Sequence, residues 1–403
     1  MRSVSQTPLS VDEYGARIAA LVPATPVVSL PVADCLGRVL GEDLVSPVAL
    51  PPFDNSAMDG YAVRSADVTG AGRQAAVVLP VEEDIPAGRT DVVPLLPGTA
   101  HRIMTGAALP PGADAVAKVE DTDGDQRQVS VYAPVAPGTH IRHAGEDVAE
   151  GATVLKAGTV LGPAQLGLAA AIGRAELPVH RPARVLVLST GTELVAPGKP
   201  LLHGQIYESN SVLLAAALRE VGAVPTVLRS VPDDVDAFHA AIAEQTARVD
   251  LMVTSGGVSA GAYEVVKDAL NGRGVEFVRV AMQPGGPQGC GHLGSLPVVT
   301  LPGNPVSTAL SFELFLRPAL LAAMGHQDTA RARTRARTTT ELRSPAGKRQ
   351  YRRSQHAGGT VTPVGGPGSH LLASFAAADC LIEVPEGVTV IAEGEEVEVV
   401  LLR

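Results

Sequence analysis

The stretch LMVTSGGVSAGAYEVVKDAL (251–270) decides the fold of the region around it. A short apolar run leads into a loop of Gly and Ser, and the spacing of the apolar residues after the loop predicts a helix. A buried strand that ends in such a loop before a helix is the repeating unit of an α/β sheet. The question is whether the flanking sequence repeats this unit.

The flanking sequence does repeat it. Runs typical of buried strands begin at RVLVLST and continue through TVLRSV, VEFVRVA and PVVTLPG. Helical patterns lie between them in SNSVLLAAALREVGA, with Ser209 or Asn210 as cap, and in DAFHAAIAEQTARV. A further helix is expected to begin at Asn304-Pro305, because proline is favoured in the first helical turn. This alternation predicts a parallel, three-layer α/β sheet.

The sequence outside this region has a different texture. Residues 8–22 carry apolar positions at helical spacing, with Ser10 and Glu13 as a capping box. From about 26 to 178, short Val-rich runs alternate with Pro-Gly turns, which indicates β structure with one domain inserted into another. After about 326, the pattern indicates a small all-β module. The predicted fold class is therefore α/β plus β, in several domains.

Composition narrows the functional classes. A chain of 403 residues with 45% apolar residues is long enough for two to four cores. The three cysteines are far apart, which argues against a disulfide framework and a thiolate zinc site and fits a reducing cytosol. A net charge of −10 and 3% aromatics argue against nucleic-acid binding. We expect no signal peptide, and no run approaches the length of a membrane-spanning helix.

Three loops are expected to meet at the carboxyl edge of the α/β sheet, where ligands bind in open sheets. They are STGTEL (189–194), TSGGVSAG (254–261) and LPGNPVS (301–307). Glycines let backbone N–H groups approach a ligand, helix N-termini add partial positive charge, and Ser255, Ser259 and Ser307 can donate hydrogen bonds. The loops suit a phosphate or another oxyanion. The alternative is that Gly and Ser only form tight turns.

Acidic residues are expected near the same edge, namely Glu193, Asp233 and Glu264. Bare carboxylates repel an anion, so their presence beside a phosphate site favours a bridging Mg²⁺, which prefers carboxylate, phosphate and water oxygens. The alternative is that these acids complement helix N-termini or are solvated loop charges.

Six motifs follow one another over nearly the whole chain: PPFDNSAMDGYAV from 51, RIMTGA (102–107), STGTEL, GQIYESN (204–210), SGGVSAG and LPGNPVS. Together, and in this order, they resemble the MoeA family of molybdopterin molybdenumtransferases, which includes the E domain of gephyrin. By themselves, the Asp-Gly and Pro-Pro turns of the first motif are also typical of ordinary hairpins. The SGGVS motif alone would also fit the smaller molybdopterin adenylyltransferases, which resemble only the α/β domain.

The resemblance implies a homodimer of four-domain subunits. The domains would be an N-terminal linker and dimerisation domain at 1–50 and 141–178, an inserted mostly-β domain at 51–140, the molybdopterin-binding α/β domain at 179–326, and a small C-terminal β-barrel at 327–403. The implied activity is that of a cytoplasmic transferase. Molybdate and adenylylated molybdopterin, the product of a molybdopterin adenylyltransferase, would give molybdenum cofactor and AMP with the assistance of Mg²⁺.

The resemblance also implies site residues. The catalytic positions would be Asp59, Thr105, Asp147, Glu193, Asp233 and Glu264, and the last three would bind the metal. Asp59 would reach the cleft of the neighbouring subunit. The cofactor-binding and substrate-binding positions would be Ser189, Gly191, Ser255, Gly256, Gly257, Ser259, Gln283, Pro302, Gly303, Asn304, Pro305, Ser307, Arg353 and Ser369. Of these, Arg353 and Ser369 would face the oxyanion from the C-terminal domain.

Two features depart from the family pattern. Glu264 replaces the usual aspartate and lengthens that arm by one methylene. In MQPGGPQGCG (282–291), Gln283 and Gly286 stand where the family commonly has lysines that hold the oxyanion. A lysine is a strong charge-assisted donor, so its loss should weaken molybdate capture unless arginines elsewhere replace it. The alternative function is therefore a non-catalytic, molybdopterin-binding scaffold or a tungstate-preferring paralogue on the same fold.

Overall fold

The computed structural model describes residues 7–191, 193–228, 235–257 and 265–402. The chain divides into two compact units, and each is described by itself. One unit comprises the residues up to Ser29, Gly37–Gly41 and everything from Pro178 onward. The other comprises Leu30–Leu36 and Glu42–Leu177.

The first part of the chain contains mostly short strands. In chain order the elements are α1 (Val11–Leu21), β1 (Val27–Pro31), β2 (Leu44–Val45), β3 (Asn55–Ser56), β4 (Gly60–Val63), β5 (Val77–Ile85), β6 (Ala100–Ile103), β7 (Ala115–Lys118), β8 (Gln128–Val131), β9 (Ile141–Arg142), β10 (Thr153–Leu155), α2 (Pro163–Ala171) and β11 (Glu176–His180). The capping box predicted for α1 is confirmed. The Ser10 hydroxyl oxygen accepts from the backbone N–H of Glu13, and the Glu13 carboxylate accepts from the backbone N–H of Ser10.

The unit built around residues 42–177 is centred on a five-stranded sheet in the order β7-β4-β6-β5-β8. Its core packs Tyr61, Val63, Val129 and Val131, all nearly inaccessible to solvent. Gly60 begins β4 where a side chain would overlap the carbonyl oxygen of Ala117 on the neighbouring strand. The β structure predicted for this part of the chain is confirmed.

The central part of the chain alternates strands and helices as predicted. The elements are β12 (Arg184–Ser189), β13 (Leu194–Val195), β14 (Ile206–Tyr207), α3 (Asn210–Glu220), β15 (Val224–Leu228), α4 (Val235–Thr246), β16 (Leu251–Ser255), α5 (Val265–Leu270), β17 (Val275–Arg279), β18 (Met282–Gln283), β19 (Pro287–Leu293), β20 (Leu296–Leu301), α6 (Pro305–Ser311) and α7 (Arg317–Ala323). A π-helical turn, Phe312–Leu316, joins the last two helices. Six of these strands form a sheet in the order β15-β12-β16-β20-β19-β17.

Helices cover both faces of this sheet. Because successive strand residues point to opposite faces, Val185 and Val187 of β12 join the core beneath α1, α3, α6 and α7. Leu186 and Leu188 join a second core with Phe238 of α4. The predicted three-layer arrangement is confirmed.

The prediction of a purely parallel sheet is wrong at one side. Strands β15, β12, β16 and β20 are parallel, but β19 runs antiparallel to both β20 and β17. The sequence of β19 resembles a loop because it is rich in glycine. The glycines are needed for strand packing: a side chain on Gly289 would overlap the hydroxyl of Thr300, and one on Gly291 would overlap the carbonyl oxygen of Gly274.

The helical run Pro305–Ala323 is 19 residues long, so the expectation that no run approaches membrane-spanning length is wrong. By length and composition alone, this run passes the test for a membrane span, and it is the one described helix that does. It is also 72% buried inside the protein. It contributes Val306, Leu310 and Leu320 to the core below the sheet, as expected for a core helix.

The C-terminal part is a closed barrel. Its elements are β21 (Arg333–Thr338), β22 (Leu342–Arg343), β23 (Arg349–Ala357), β24 (Thr360–Pro363), α8 (Leu372–Ala376), β25 (Cys380–Val384), β26 (Val390–Ile391) and β27 (Glu396–Leu401). The order β23-β24-β21-β27-β25 closes through the pairing of β25 with β23. Strand β18 leaves the α/β region and pairs with β23 in parallel, with Gln283 opposite Gln350. The predicted fold class, α/β plus β with a small C-terminal barrel, is confirmed.

Candidate active site

Three strands end side by side at the carboxyl edge of the α/β sheet. Ser189 at the end of β12 is in register with Ser255 at the end of β16, and Ser255 is in register with Leu301 at the end of β20. The backbone N–H of Gly256 donates to the carbonyl oxygen of Leu301 at 3.1 Å. The structure therefore brings together the described parts of the three glycine-rich loops.

Glycine allows these loops to approach each other closely. A Cβ on Gly256 would lie 3.2 Å from the carbonyl oxygen of Thr190, and one on Gly303 would lie 3.3 Å from the Cα of Gly256. Gly256 and Gly257 also have φ values of +92° and +68°, which disfavour a side chain. The edge is a tight surface of backbone groups, which suits an oxyanion better than a bulky apolar ligand.

Asn210 ties two of the loops together from the start of α3. Its Nδ2 donates to the Ser255 hydroxyl at 2.8 Å and to the Gly303 carbonyl oxygen at 2.7 Å. Its Oδ1 is buried and has no hydrogen-bond partner among the described residues. From the sequence, Ser209 or Asn210 was expected to cap this helix, and the structure gives that position to Ser209, which leaves Asn210 free to link the loops. The signal available was the motif GQIYESN, which ends at this residue.

Of the three predicted metal-binding acids, Glu193 is described. Its side chain is exposed, and its carboxylate lies over Gly191, where a Cβ would be 2.6 Å from Oε2. Asp233 and Glu264, together with Ser259, lie outside the described residues. Within the described ranges, no group of three His, Cys, Asp or Glu residues is arranged to hold a metal ion.

A cavity of about 490 Å³ lies between the described α/β residues and the barrel. Both walls belong to the same compact unit. The lining residues are Pro8, Arg279, Val280, Ala281, Met282, Gln283, Pro284, Gly285, Gly286, Pro287, Pro302, Gly303, Asn304, Ser307, Gly347, Lys348, Pro367, Gly368 and Ser369. The cavity is thus continuous with the third glycine-rich loop, and its other wall comes from the barrel.

The charge of this lining is positive. Arg279 and Lys348 are the two ionisable residues among the described residues that line it. The start of α6 adds partial positive charge and the hydroxyl of Ser307. The backbone N–H of Val306 donates to the Ser369 carbonyl oxygen at 3.1 Å, which fixes the barrel loop against this helix. The arrangement can hold a small anion.

The positions predicted to face the oxyanion separate into two groups. Gln283 and Ser369 line the cavity, together with Pro302, Gly303, Asn304 and Ser307. Arg353 is only 2% exposed and is not among the lining residues. Its guanidinium donates to the carbonyl oxygens of Gly366 and Gly368, while its Nε has no partner in the described structure. Arg353 therefore supports the loop that carries Ser369.

The other compact unit brings Asp59 and Thr105 together. The Oδ1 of Asp59 accepts from the backbone N–H of Thr105 at 2.7 Å and from its hydroxyl at 2.8 Å. These bonds stabilise the ionised form and lower the pKa of Asp59 below its ordinary value. Asp147 belongs to the same unit and is exposed, with its backbone N–H bonded to the Leu50 carbonyl oxygen.

The fold and this site define a class of multidomain proteins in which a cationic cavity adjoins the ligand-binding edge of an α/β domain. Comparison with protein families identifies three regions of the chain. Residues 9–173 match the MoeA N-terminal region (domain I and II), residues 186–322 match a probable molybdopterin binding domain, and residues 335–402 match the MoeA C-terminal region (domain IV). The chain belongs to the MoeA family.

Individual relatives agree with this assignment. The chain is 53% identical to molybdopterin molybdenumtransferase 2 of Mycobacterium tuberculosis, over 97% of this chain and 98% of that protein. It is 34% identical to molybdopterin molybdenumtransferase of Haemophilus influenzae, over 97% and 98% of the two chains. Its fold is similar to a crystal structure of the molybdopterin biosynthesis protein MoeA from Pyrococcus horikoshii, with a TM-score of 0.85, 33% identity, and coverage of 98% and 100%.

Proposed function

We propose that the protein is a molybdopterin molybdenumtransferase, which converts adenylylated molybdopterin and molybdate into molybdenum cofactor and AMP. The observation that supports this most directly is the cavity at the end of β20. Its described lining residues include two basic side chains and no acidic one. The names of the relatives support the same reaction.

In this proposal each surface has a separate task. The cavity holds molybdate through Arg279, Lys348 and the hydroxyl donors, because a tetrahedral dianion needs both charge and hydrogen bonds to leave water. The glycine-rich edge, with Ser189 and Ser255, holds the phosphates of the pterin nucleotide through backbone and hydroxyl donors. The cavity and the edge share Gly303, so the two substrates are held next to each other.

Glu193 is proposed to bind Mg²⁺. A carboxylate over a phosphate-binding turn would repel the substrate, and a divalent cation between them would relieve the repulsion. When bound, the ion would neutralise charge on the phosphate oxygens. Asp233 and Glu264 are proposed as further ligands from the sequence alone.

The remaining assignments concern the state of the molecule in the cell. We propose a cytoplasmic homodimer that receives its substrate from a molybdopterin adenylyltransferase. Asp59 would then reach the neighbouring subunit's cleft, as the resemblance implies, and Thr105 and Asp147 are proposed as further catalytic positions. Sedimentation analysis tests the dimer, and a purely monomeric protein that retains activity would contradict it.

The test of the function is AMP release. Purified protein is mixed with adenylylated molybdopterin, and molybdate and Mg²⁺ are added separately and together. We expect stoichiometric AMP and molybdenum cofactor only when molybdate is present, and faster release with Mg²⁺. A protein that binds the pterin nucleotide but releases no AMP at saturating molybdate would support the scaffold alternative. A faster reaction with tungstate would indicate altered metal preference.

A further inference from the structure

The side-chain amide of Asn210 has an orientation that its neighbours fix. Its Nδ2 donates to the Gly303 carbonyl oxygen at 2.7 Å and to the Ser255 hydroxyl oxygen at 2.8 Å. A carbonyl oxygen can only accept, so the reversed amide would place two acceptors against each other at Gly303. Nδ2 is therefore committed to the second and third glycine-rich loops, and Oδ1 is left as an acceptor beside them.

A hydrogen-bond network behind Asn210 keeps the amide in this position. The Thr308 hydroxyl donates to the Pro302 carbonyl oxygen at 2.7 Å, so its oxygen is left to accept from the Ser255 hydroxyl at 3.4 Å. Ser255 is only 1% exposed and Thr308 is fully buried, so water does not compete for these bonds. The amide is thus a fixed part of the site and not a mobile surface group.

The backbone of Asn210 is fixed as well, at the first residue of α3. The Glu208 carboxylate accepts from the backbone N–H of Ser211 at 2.8 Å and from the Ser211 hydroxyl. Leu214 and Leu218 of the same helix are fully buried in the core below the sheet. Because backbone and amide are both held, Oδ1 does not rotate toward another partner.

The Oδ1 atom is unusual for a buried oxygen. It has no hydrogen-bond partner in the part of the chain that the structure describes. Nearly all buried polar atoms in proteins are paired, because an acceptor that is left without a donor costs free energy. A ligand that carries a donor would complete this atom.

The missing partner is not a phosphate. Phosphate oxygens at neutral pH are acceptors, as Oδ1 is, so the two atoms would repel each other. The partner must carry an N–H or O–H group, or be a cation. The candidate active site therefore has a second chemical requirement, besides the oxyanion that the glycine-rich loops suit.

The location of Asn210 selects the part of the substrate that meets Oδ1. Ser255 ends β16 at the proposed phosphate-binding edge, and Gly303 lines the cavity proposed for molybdate. Asn210 bonds to both residues, so its side chain lies between the two proposed subsites. In adenylylated molybdopterin, the pterin portion carries both the phosphate chain and the sulfur atoms that receive the metal. Its reduced rings also bear several N–H groups.

We propose that Asn210 is a specificity-determining residue for the pterin, whose N–H group donates to Oδ1 while Nδ2 holds the two loops together. A buried acceptor discriminates strongly, because a ligand without the donor leaves it unpaired. This inference rests on the proposed function for the identity of the ligand, but it concerns binding and is tested without turnover.

The test compares the affinities of full-length variants for adenylylated molybdopterin and for AMP, by anaerobic titration calorimetry without molybdate. AMP carries the phosphate but no pterin, so the ratio of the two Kd values cancels a general displacement of the loops. Asn210→Ala removes the acceptor and should raise the Kd of the pterin nucleotide about fivefold to tenfold more than that of AMP. Asn210→Leu, which is closer in volume and also lacks the acceptor, should behave in the same way.

Asn210→Asp separates the acceptor from the donor. It keeps an oxygen at the Oδ1 position and loses the Nδ2 donor, so the ratio of the two Kd values should stay close to that of the wild type. A matched control is Asn271→Ala. Asn271 is an exposed residue of the same compact unit that does not line the cavity, and both of its Kd values should equal those of the wild type.

Titrations with and without Mg²⁺ distinguish a pterin N–H group from a cation, since amide oxygens also ligate metal ions. The effect of Asn210→Ala should be the same in both conditions. An effect confined to Mg²⁺ would assign Oδ1 to the metal and overturn the inference. Folded Asn210→Ala and Asn210→Leu variants with the wild-type ratio would also overturn it, as would an equal rise in Asn210→Asp or a wild type that fails to bind either ligand. Circular dichroism and thermal melting establish that each variant is folded.

The inference and the function fail in different ways. Wild-type protein that binds the pterin nucleotide through Asn210 but releases no AMP when molybdate is added would leave the binding assignment intact and contradict the transferase. Protein that releases AMP normally while Asn210→Ala keeps the wild-type ratio would leave the transferase intact and contradict the binding assignment.

Discussion

Adding the two lysines that this chain lacks should tighten its hold on molybdate. The change is Gln283→Lys combined with Gly286→Lys. Gly286 does not have a positive φ, and a Cβ there would lie 3.3 Å from the Val280 carbonyl oxygen, so a side chain needs only a small adjustment. Both positions line the cavity, so both new ammonium groups would reach the anion.

The magnitude follows from what each position offers now. The Gln283 amide is able to donate a neutral hydrogen bond to an anion in the cavity, so exchanging it for a charged donor gains about 1 kcal/mol. Gly286 offers no side chain, and a new charged bond of about 1.5–3 kcal/mol loses part of that to the ordering of the lysine. The sum of about 2 kcal/mol corresponds to a roughly 30-fold lower half-saturating molybdate concentration.

The same change should cost stability. Gln350 is 1% exposed and donates to Gln283 Oε1, so the lysine leaves a buried donor without its acceptor. We expect the free energy of unfolding to fall by about 1–3 kcal/mol, measured by urea denaturation.

The assay is a molybdate titration of AMP release, with Gln355→Lys as the control. Gln355 is exposed on the barrel and does not line the cavity, so its substitution adds one of the two positive charges away from the cavity. An unchanged half-saturating concentration in the folded double variant would refute the reasoning. An equal decrease in the control would assign the effect to net charge.

Three further predictions concern residues outside the cavity. Thr105→Val removes one of the hydrogen bonds that lower the pKa of Asp59. In an NMR titration, the pKa of Asp59 should therefore rise toward its ordinary value of 3.8. No rise would show that the Thr105 hydroxyl does not stabilise the carboxylate. Gly291→Ala places a side chain at φ +156° against Gly274, so the free energy of unfolding should fall by about 2 kcal/mol or more, and unchanged urea denaturation would refute this. Burial raises the pKa of Asp250, but hydrogen bonds from two arginines outweigh this and lower it overall. Because the folded-state pKa is depressed, the stabilisation is present above the unfolded pKa of about 3.8 and is lost as pH falls through the folded value. Asp250→Asn should therefore destabilise the protein at pH 7, and the difference in melting temperature should shrink below pH 4.

Local signals in the sequence predicted much of the fold. The Ser10–Glu13 capping box, the alternation of strand and helix patterns, and the proline that opens α6 all lie within a few residues of the structure they specify. Strand β19 was missed because its glycines are explained only by neighbours such as Thr300, which belong to other strands. Long-range packing, rather than local propensity, determines that strand.

The candidate site was predicted in the same uneven way. The loops after β12, β16 and β20 were placed at one edge because parallel strands share a direction, which sequence order is enough to indicate. The basic run at 348–353 was harder, because pairing decides which side chain faces the cavity. The family resemblance implied that Arg353 faces the oxyanion, whereas the structure buries Arg353 and Lys348 lines the cavity.

Strand β18 links the α/β region to the C-terminal barrel through backbone hydrogen bonds. Its pairing with β23, together with the bond from Arg349 to Ala281, joins the barrel to the chain segment just before the glycine-rich β19. An outward rotation of the barrel would break these hydrogen bonds one after another. The cavity between the α/β residues and the barrel therefore keeps its width. A substitution on the barrel side of the cavity can then change its lining while the proposed nucleotide-binding edge of the sheet stays untouched.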